Sequence, residues 1–348
     1  MGRRDLELRE IIAVDVKARG GRGRDLTRRM LYLPALIVAA VLMACAVVVL
    51  VVSKKAEATF PGKNDKIVFS SSRADNNNEI YVMNPNGSRV QRLTEDPRVA
   101  PANDLTPAWS ADGTRIAFSR DFDIYSMNAD GSNRTQLTNN SDGESNPTWS
   151  PDGSRIAYER ALPAGEGQVI HQIYLMDADG SDQDTQLADD SASQEDPAWS
   201  PDGSKIAYVR GVHIYTVNVD GTGLTRLTGG VSSGGDFYIR DDPNWSPDGS
   251  KILFTRYGPC SSVSCTPEDA QYDIFVMNAD GNGGKKRLTN NLVHDENPTW
   301  SPDGTRIVFT SSRDGDQDIW RMRRNGSNKT KLTFNTVMDR EPDWQPRP

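Results

Sequence analysis

Apolar runs of three or four residues recur along the chain at regular intervals, each closed by turn-forming residues. One set reads Ile116-Ala117-Phe118, Ile156-Ala157-Tyr158, Ile206-Ala207-Tyr208, Ile252-Leu253-Phe254 and Ile307-Val308-Phe309. Runs this short, without a polar alternate, fit strands buried on both faces. A second set follows, from Ile124-Tyr125-Ser126-Met127 to Ile319-Trp320-Arg321-Met322, with β-branched and aromatic residues at matching places. Next comes Asp-Gly or Asn-Gly, as at Asp130-Gly131 and Asn325-Gly326, which accepts the positive φ of a hairpin turn. A Leu-Thr pair such as Leu137-Thr138 or Leu332-Thr333 then marks a fourth strand. Ahead of each set stands Pro-x-Trp, in five copies continuing as Ser-(Pro/Ala)-Asp-Gly, where one strand ends and a tight turn opens the next. Each unit reads as a four-stranded antiparallel meander, with its Pro at the strand entrance.

The tryptophans of Pro-x-Trp stand at 109, 149, 199, 245, 300 and 344, spaced 40, 50, 46, 55 and 44 residues apart. A period of that size belongs to arrays of small sheets stacked about an axis. Before the first complete copy come Ile67-Val68-Phe69, Ile80-Tyr81-Val82-Met83, Asn86-Gly87 and Leu93-Thr94, three strands with no Pro-x-Trp ahead of them. After the last copy, Glu341-Pro342-Asp343-Trp344 is a first strand with nothing following it. Pairing these fragments in one sheet predicts an all-β, six-bladed β-propeller closed by its C-terminal strand over residues 60–348. The tryptophans are expected to wedge between blades, where burying an indole contributes on the order of 2–3 kcal/mol.

The string Pro-x-Trp-Ser-Pro-Asp-Gly-(Ser/Thr)-(Arg/Lys)-Ile, followed by Ile-Tyr-x-Met-(Asn/Asp)-x-Asp-Gly and Leu-Thr, resembles the TolB-type β-propeller repeat. The resemblance covers roughly Phe60 to Pro348. It implies an exported bacterial propeller, often a protein-interaction module, although related repeats also accompany peptidases and some carbohydrate-active enzymes. One departure is visible: residues 1–59 are too few, and of the wrong composition, for the α/β domain that precedes the propeller in TolB itself.

Residues 31–52 carry no charge and, as a helix rising about 1.5 Å per residue, would cross a bilayer. Nine Lys/Arg precede them within residues 1–30, which predicts a cytoplasmic basic segment, a transmembrane signal-anchor, a linker over 53–59 and an extracytoplasmic propeller. Two other readings stay open. Ala56-Glu57-Ala58 offers a cleavage site and Arg28-Arg29 an export signal, while Leu42-Met43-Ala44-Cys45 resembles a lipoprotein box. All place the propeller outside the cytoplasm. Cys260 and Cys265, the cysteines beyond the apolar stretch, lie in one Gly/Pro/Ser-bearing insertion and would close a small disulfide loop in an oxidising compartment, or remain two free thiols.

Charge sharpens the partner question. Residues 31–348 hold 31 basic and 43 acidic residues, a net charge of −12, which argues against nucleic acid. Loops entering the innermost strands ring a propeller's channel mouth, and those before each Pro-x-Trp include Asp104, Glu144, Glu195, Asp241, Asp295, Glu296, Asp339 and Glu341, with Arg240 and Arg340 as basic exceptions. Convergent carboxylates would favour cations or basic peptide segments; the alternative is that they keep strand ends soluble and cap turns. Phe237 and Tyr238, in the long loop from Gly229 to Asp242, suit a binding surface. Insertions at 161–172 and 257–271 are further candidates.

Catalytic motifs are missing from the sequence: there is no Gly-x-Ser-x-Gly elbow, His-Glu-x-x-His helix or phosphate loop, and His171, His213 and His294 share no repeat position. No cofactor is expected. Asp177-Ala178-Asp179-Gly180 resembles the start of a calcium loop but lacks the bidentate Glu at the required offset, so turn geometry explains it. Two functions follow: a non-catalytic, membrane-anchored propeller binding a protein or envelope component, or a propeller hydrolase or lyase acting on an extracellular polymer.

Overall fold

Six four-stranded antiparallel sheets account for every strand in the computed structural model, which describes residues 64–74, 77–95, 102–165, 167–183, 185–188, 191–229, 242–258 and 271–346. Blade 1 places Asp339–Trp344 beside Ile67–Ala74, followed by Asn77–Met83 and Gln91–Arg92. Trp344 pairs with Ile67 and Asp343 with Val68, so the predicted closure is realised. Blades 2 to 6 begin with the innermost strands Asp104–Trp109, Gly143–Trp149, Gln194–Trp199, Asn244–Trp245 and Asp295–Trp300. Gln345 completes the seam: its side-chain amide donates to Gly113 O at 2.7 Å in blade 2, and its Oε1 accepts from Lys66 N at 3.3 Å.

The second strand of each blade is buried on both faces, as its apolar run requires; Ile116, Ala117 and Phe118 are all inaccessible. The tryptophans wedge as expected. Trp149 packs with Ala117, Ile124 and Leu137 of blade 2 and with Ile156 and Tyr158 of its own blade. Trp344 closes the ring by packing with Val308, Ile319 and Leu332 of blade 6. The Leu-Thr pair has two tasks. Its Leu is buried between blades, only partly so at Leu93, while its Thr hydroxyl accepts the N–H of the isoleucine opening the third strand, as from Ile80 to Thr94 (2.9 Å) and Ile124 to Thr138 (2.8 Å).

The Ser-(Pro/Ala)-Asp-Gly turn is held by its aspartate. In blade 3, Asp152 Oδ1 accepts from Ser150 Oγ (2.7 Å), Ser154 N (3.0 Å) and Ser154 Oγ (2.7 Å), and Ser150 Oγ in turn accepts from Arg155 N (2.9 Å). Burial pushes these carboxyls up, but the donors from the flanking Ser or Thr outweigh it at Asp112, Asp152 and Asp202, leaving each below the ordinary carboxylate range. With the folded value depressed, this stabilisation is complete above pH of about 4 and fades as pH falls through the folded value. Asp152 is exposed, and solvent screens its bonds. Asp152→Ala is therefore expected to cost only about 1 kcal/mol at pH 7 and progressively less as pH falls below about 4, measured by urea denaturation.

Two loop assignments change. Residues 161–172 are mostly extended strand, because Arg155–Gly165 and Gln168–Asp177 continue pairing to Ala161↔His171 and beyond. Tyr257 and Gln271 are likewise paired positions, while 259–270, with Cys260 and Cys265, lie outside the described residues. Residues 31–52 also lie outside them; among the described residues no helix is long and apolar enough to cross a membrane.

Candidate functional site

The innermost strands line a central channel of about 490 Å³. Except in blade 5, where the strand Asn244–Trp245 begins just after Pro243, Pro-x-Trp sits inside these strands rather than at their entrance: Asp104–Trp109 begins three residues before Pro107. The proline is accommodated by a bulge. Pairing slips between Leu105 and Ala108, Ser145 and Thr148, Glu195 and Ala198, and Glu296 and Thr299, leaving the proline without a ladder bond to make.

The residue before each proline adopts a left-handed conformation, with φ of 49° at Thr106, 50° at Asn146, 53° at Asp196, 59° at Asp242, 50° at Asn297 and 57° at Glu341. This region is disfavoured for side-chain-bearing residues, and Asn and Asp tolerate it best. All six residues lie in the channel wall. They join neighbouring blades. Glu341 Oε2 accepts from Thr106 N (2.7 Å), Asp196 Oδ1 from Asn146 Nδ2 (3.0 Å), Asp196 Oδ2 from Asp242 N (3.3 Å), and Asp242 from Asn297 N and Nδ2 (both 3.0 Å).

The acidic residues singled out from sequence separate by register. Asp104, Glu144, Asp295 and Asp339, three positions before the proline, are buried inside their blades and do not line the channel. Asp104 meets Arg120 Nη1 at 3.3 Å, Glu144 meets Arg160 Nε at 3.3 Å, Asp295 meets Arg313 Nη2 at 2.5 Å and Asp339 meets Arg73 Nη2 at 2.6 Å. Each arginine also lies over an aromatic ring, Arg160 over Tyr174 at 4.3 Å and Arg73 over Tyr81 at 5.0 Å. Burial raises the Glu144 carboxyl despite hydrogen bonds from Asn140 and Thr138 and the Arg160 charge. These four hold blades together. Asp241, Phe237 and Tyr238 lie outside the described residues.

Glu195 and Glu296, two positions before the proline, do face the channel. They are joined there by Asp196, Asp242, Glu341 and Asp343, so blades 4, 5, 6 and 1 present six carboxylates, whereas blades 2 and 3 present Thr106 and Asn146. No Lys or Arg is among the described residues lining the channel; Arg340 Nε approaches Glu341 at 3.7 Å from beside it. Crowding of like charge shows in the titration. Burial and then the Asp242 and Glu341 charges push the Glu296 carboxyl up to about 7, against Arg340 and a hydrogen bond from Gln317. Burial also raises Asp242, against hydrogen bonds from Asn297 and Thr255.

Behind this wall, buried Glu159 accepts from Asn146 Nδ2 at 2.7 Å and Asp196 N at 2.5 Å, with His171 Nδ1 at 3.6 Å. Burial raises its carboxyl, offset in part by these donors and the His171 charge. In the channel wall itself, Asp343 accepts the Trp109 backbone N–H at 2.8 Å, and burial carries its carboxyl up to about 7 against that bond and one from its own strand. In blade 5 the corresponding residue is Asn244, whose Oδ1 accepts Trp300 N at 3.1 Å. Asp196, Asp242 and Asp343 were not singled out from sequence; the polar residue before every proline is the signal that marks the first two.

A model of the TolB beta propeller domain matches residues 46–162 and 260–348, more than half of the chain, and one of the dipeptidyl peptidase IV N-terminal region matches residues 168–259. Two curated proteins align over short stretches. The uncharacterized protein Atu1656 of Agrobacterium fabrum is 40% identical over 68 residues, 20% of this chain and 23% of that protein. The Tol-Pal system protein TolB of Rhizorhabdus wittichii is 40% identical over 60 residues, 17% of this chain and 13% of that protein. The alignments thus span less than a quarter of either relative. Among solved structures, TolB from Acinetobacter baumannii superposes with a TM-score of 0.65 at 20% identity, over 81% of this chain and 67% of that one. Putative TolB from Agrobacterium tumefaciens gives 0.56 at 22% identity, over 80% and 92%. At such identities the structures speak for the fold alone. The repeat motif, the closed six-bladed ring and the match over most of the blades make this chain a member of the TolB beta-propeller domain family.

Proposed function

We propose that this protein is a non-catalytic propeller, anchored in the cell membrane by residues 31–52 with its N-terminus in the cytoplasm, which binds a protein or cell-envelope component at its extracytoplasmic channel mouth. The observation that carries this reading is the convergence of Glu195, Asp196, Asp242, Glu296 and Glu341 on one side of a channel with no lining Lys or Arg among the described residues. Low-dielectric walls lined by one sign of charge focus potential into the opening, and the ligand that answers it is a basic segment. Phe122, Leu292 and Phe334, exposed by 76%, 84% and 78%, sit on loops at that same end, where exposed apolar groups favour partner contact.

The test uses the full-length chain in detergent, comparing wild type with Glu195→Gln/Glu296→Gln and with Glu144→Gln as a buried control. A partner captured from membranes should bind the channel variant about tenfold more weakly and wild type more weakly as salt rises. Equal, salt-insensitive capture by wild type and the channel variant would reject the mouth as the binding site.

A further inference from the structure

We propose that the crevice between blades 5 and 6, at the end of the barrel away from the acidic mouth, is a second binding site that takes a small organic anion with a flat apolar body. The crevice has a volume of about 800 Å³, in the range of small-molecule sites. Trp300, Val276 and Met277 form its apolar floor, and Lys251, Lys286 and Arg324 stand around it.

Comparison with an equivalent gap in the same molecule explains why this one is open. Between blades 2 and 3, Arg115 lies 4.3 Å over the Trp149 ring and its Nη1 reaches Ala178 O at 3.4 Å, so a cation already covers the indole. Between blades 3 and 4, Arg155 lies 5.5 Å from the Trp199 ring. In blade 5 the corresponding residue is Lys251, whose ammonium turns to Asn278 Oδ1 of its own blade. Trp109, Trp149, Trp199 and Trp344 are 2–5% exposed. Trp300 stays partly exposed, as does Trp245, whose Nε1 is satisfied by Ala198 O at 3.2 Å. Where blade 3 has Ala178, blade 6 has exposed Arg324; both backbone N–H groups make the same turn bond, to Ser154 O and Thr305 O.

Charge selects the ligand. Among the described residues, neither Lys286 nor Arg324 has a carboxylate partner, although the protein as a whole is acidic. The two carboxylates at the rim are committed to their turns. Asp248 accepts from Ser246 and Ser250, and Asp303 from Ser301, Thr305 and Asn64. An aromatic carboxylate would lay its ring on Trp300 and its charge between Lys286 and Arg324, combining apolar burial with two charge-assisted contacts. This inference does not depend on the function of the mouth.

The probe is 2-naphthoate, with uncharged 2-naphthylmethanol as its counterpart, titrated calorimetrically into the full-length chain. Saturable naphthoate binding with a dissociation constant near or below about 1 mM is expected, with the alcohol at least about fivefold weaker. Lys286→Glu/Arg324→Glu, at exposed positions that leave the fold intact, should weaken naphthoate about tenfold, and Trp300→Leu should weaken both compounds. Glu195→Gln/Glu296→Gln should leave naphthoate binding unchanged, which separates this site from the mouth. No saturable binding, equal affinity for acid and alcohol, or full affinity in the charge-reversed variant would overturn the proposal.

Discussion

Gly131→Ala is expected to destabilise the propeller by about 3 kcal/mol, and Gly153→Ala by only about 1 kcal/mol, although both glycines adopt positive φ, 87° and 70°. Both substitutions incur the left-handed penalty of a Cβ. They differ in their neighbours. A Cβ at Gly131 would stand 2.6 Å from Leu93 O, a backbone carbonyl of blade 1, whereas nothing lies within 4 Å at Gly153. Relief at Gly131 would require two blades to separate. Gly87, Gly221 and Gly326 meet a leucine carbonyl of the preceding blade in the same way, at 2.4, 2.6 and 2.6 Å. Urea denaturation of the two variants side by side checks this. Equal losses would mean that φ alone requires glycine and that the hairpin tips do not set the spacing between blades.

Asp343→Asn is expected to raise stability at pH 8 and to raise it distinctly less at pH 5. For Asp343 and Glu296 the folded value, about 7, lies above the ordinary 3.8 and 4.5. Between those limits the unfolded chain ionises while the folded protein retains the proton, so stability falls as pH rises from about 4 to 7 and is flat above. Both residues line the channel and are partly exposed, and solvent screening holds the gain from removing either charge to the order of 1–2 kcal/mol. Asn is already the resident at the equivalent position of blade 5, where Asn244 Oδ1 accepts the Trp300 N–H, so the bond to Trp109 should survive. Glu296→Gln should act in the same direction. Thermal midpoints of both variants at pH 5 and 8 decide the matter; an unchanged difference between the two pH values would show that neither group is held protonated. Set against the turn aspartates, which lose their contribution below about pH 4, these groups predict greatest stability at a pH of about 4.

The ring was legible because every blade writes out the same strand, turn and hairpin residues, and because the fragments around Ile67 and Trp344 complement one another. The channel wall was harder to read. Regular alternation places residues one and three before the proline on the same face. The bulge breaks that alternation, sending Asp104 and Asp295 onto arginines within their blades and Asp196 and Glu341 to the channel. Long hairpins were also misjudged: residues 161–172 carry few β-branched residues, yet pair because the strands on either side already fix their register.

Ser70 of the first strand bonds to Arg340 across 270 residues of sequence. A polypeptide that appears N-terminus first therefore exposes blade 1 as three strands with a bare edge at Ile67–Ala74 until Asp339–Trp344 arrives. That edge is a template for pairing with another chain, so the protein carries an aggregation hazard until Asp339–Trp344 covers it. Folding should accordingly be slow for a structure built of local meanders, with ring closure as the last step.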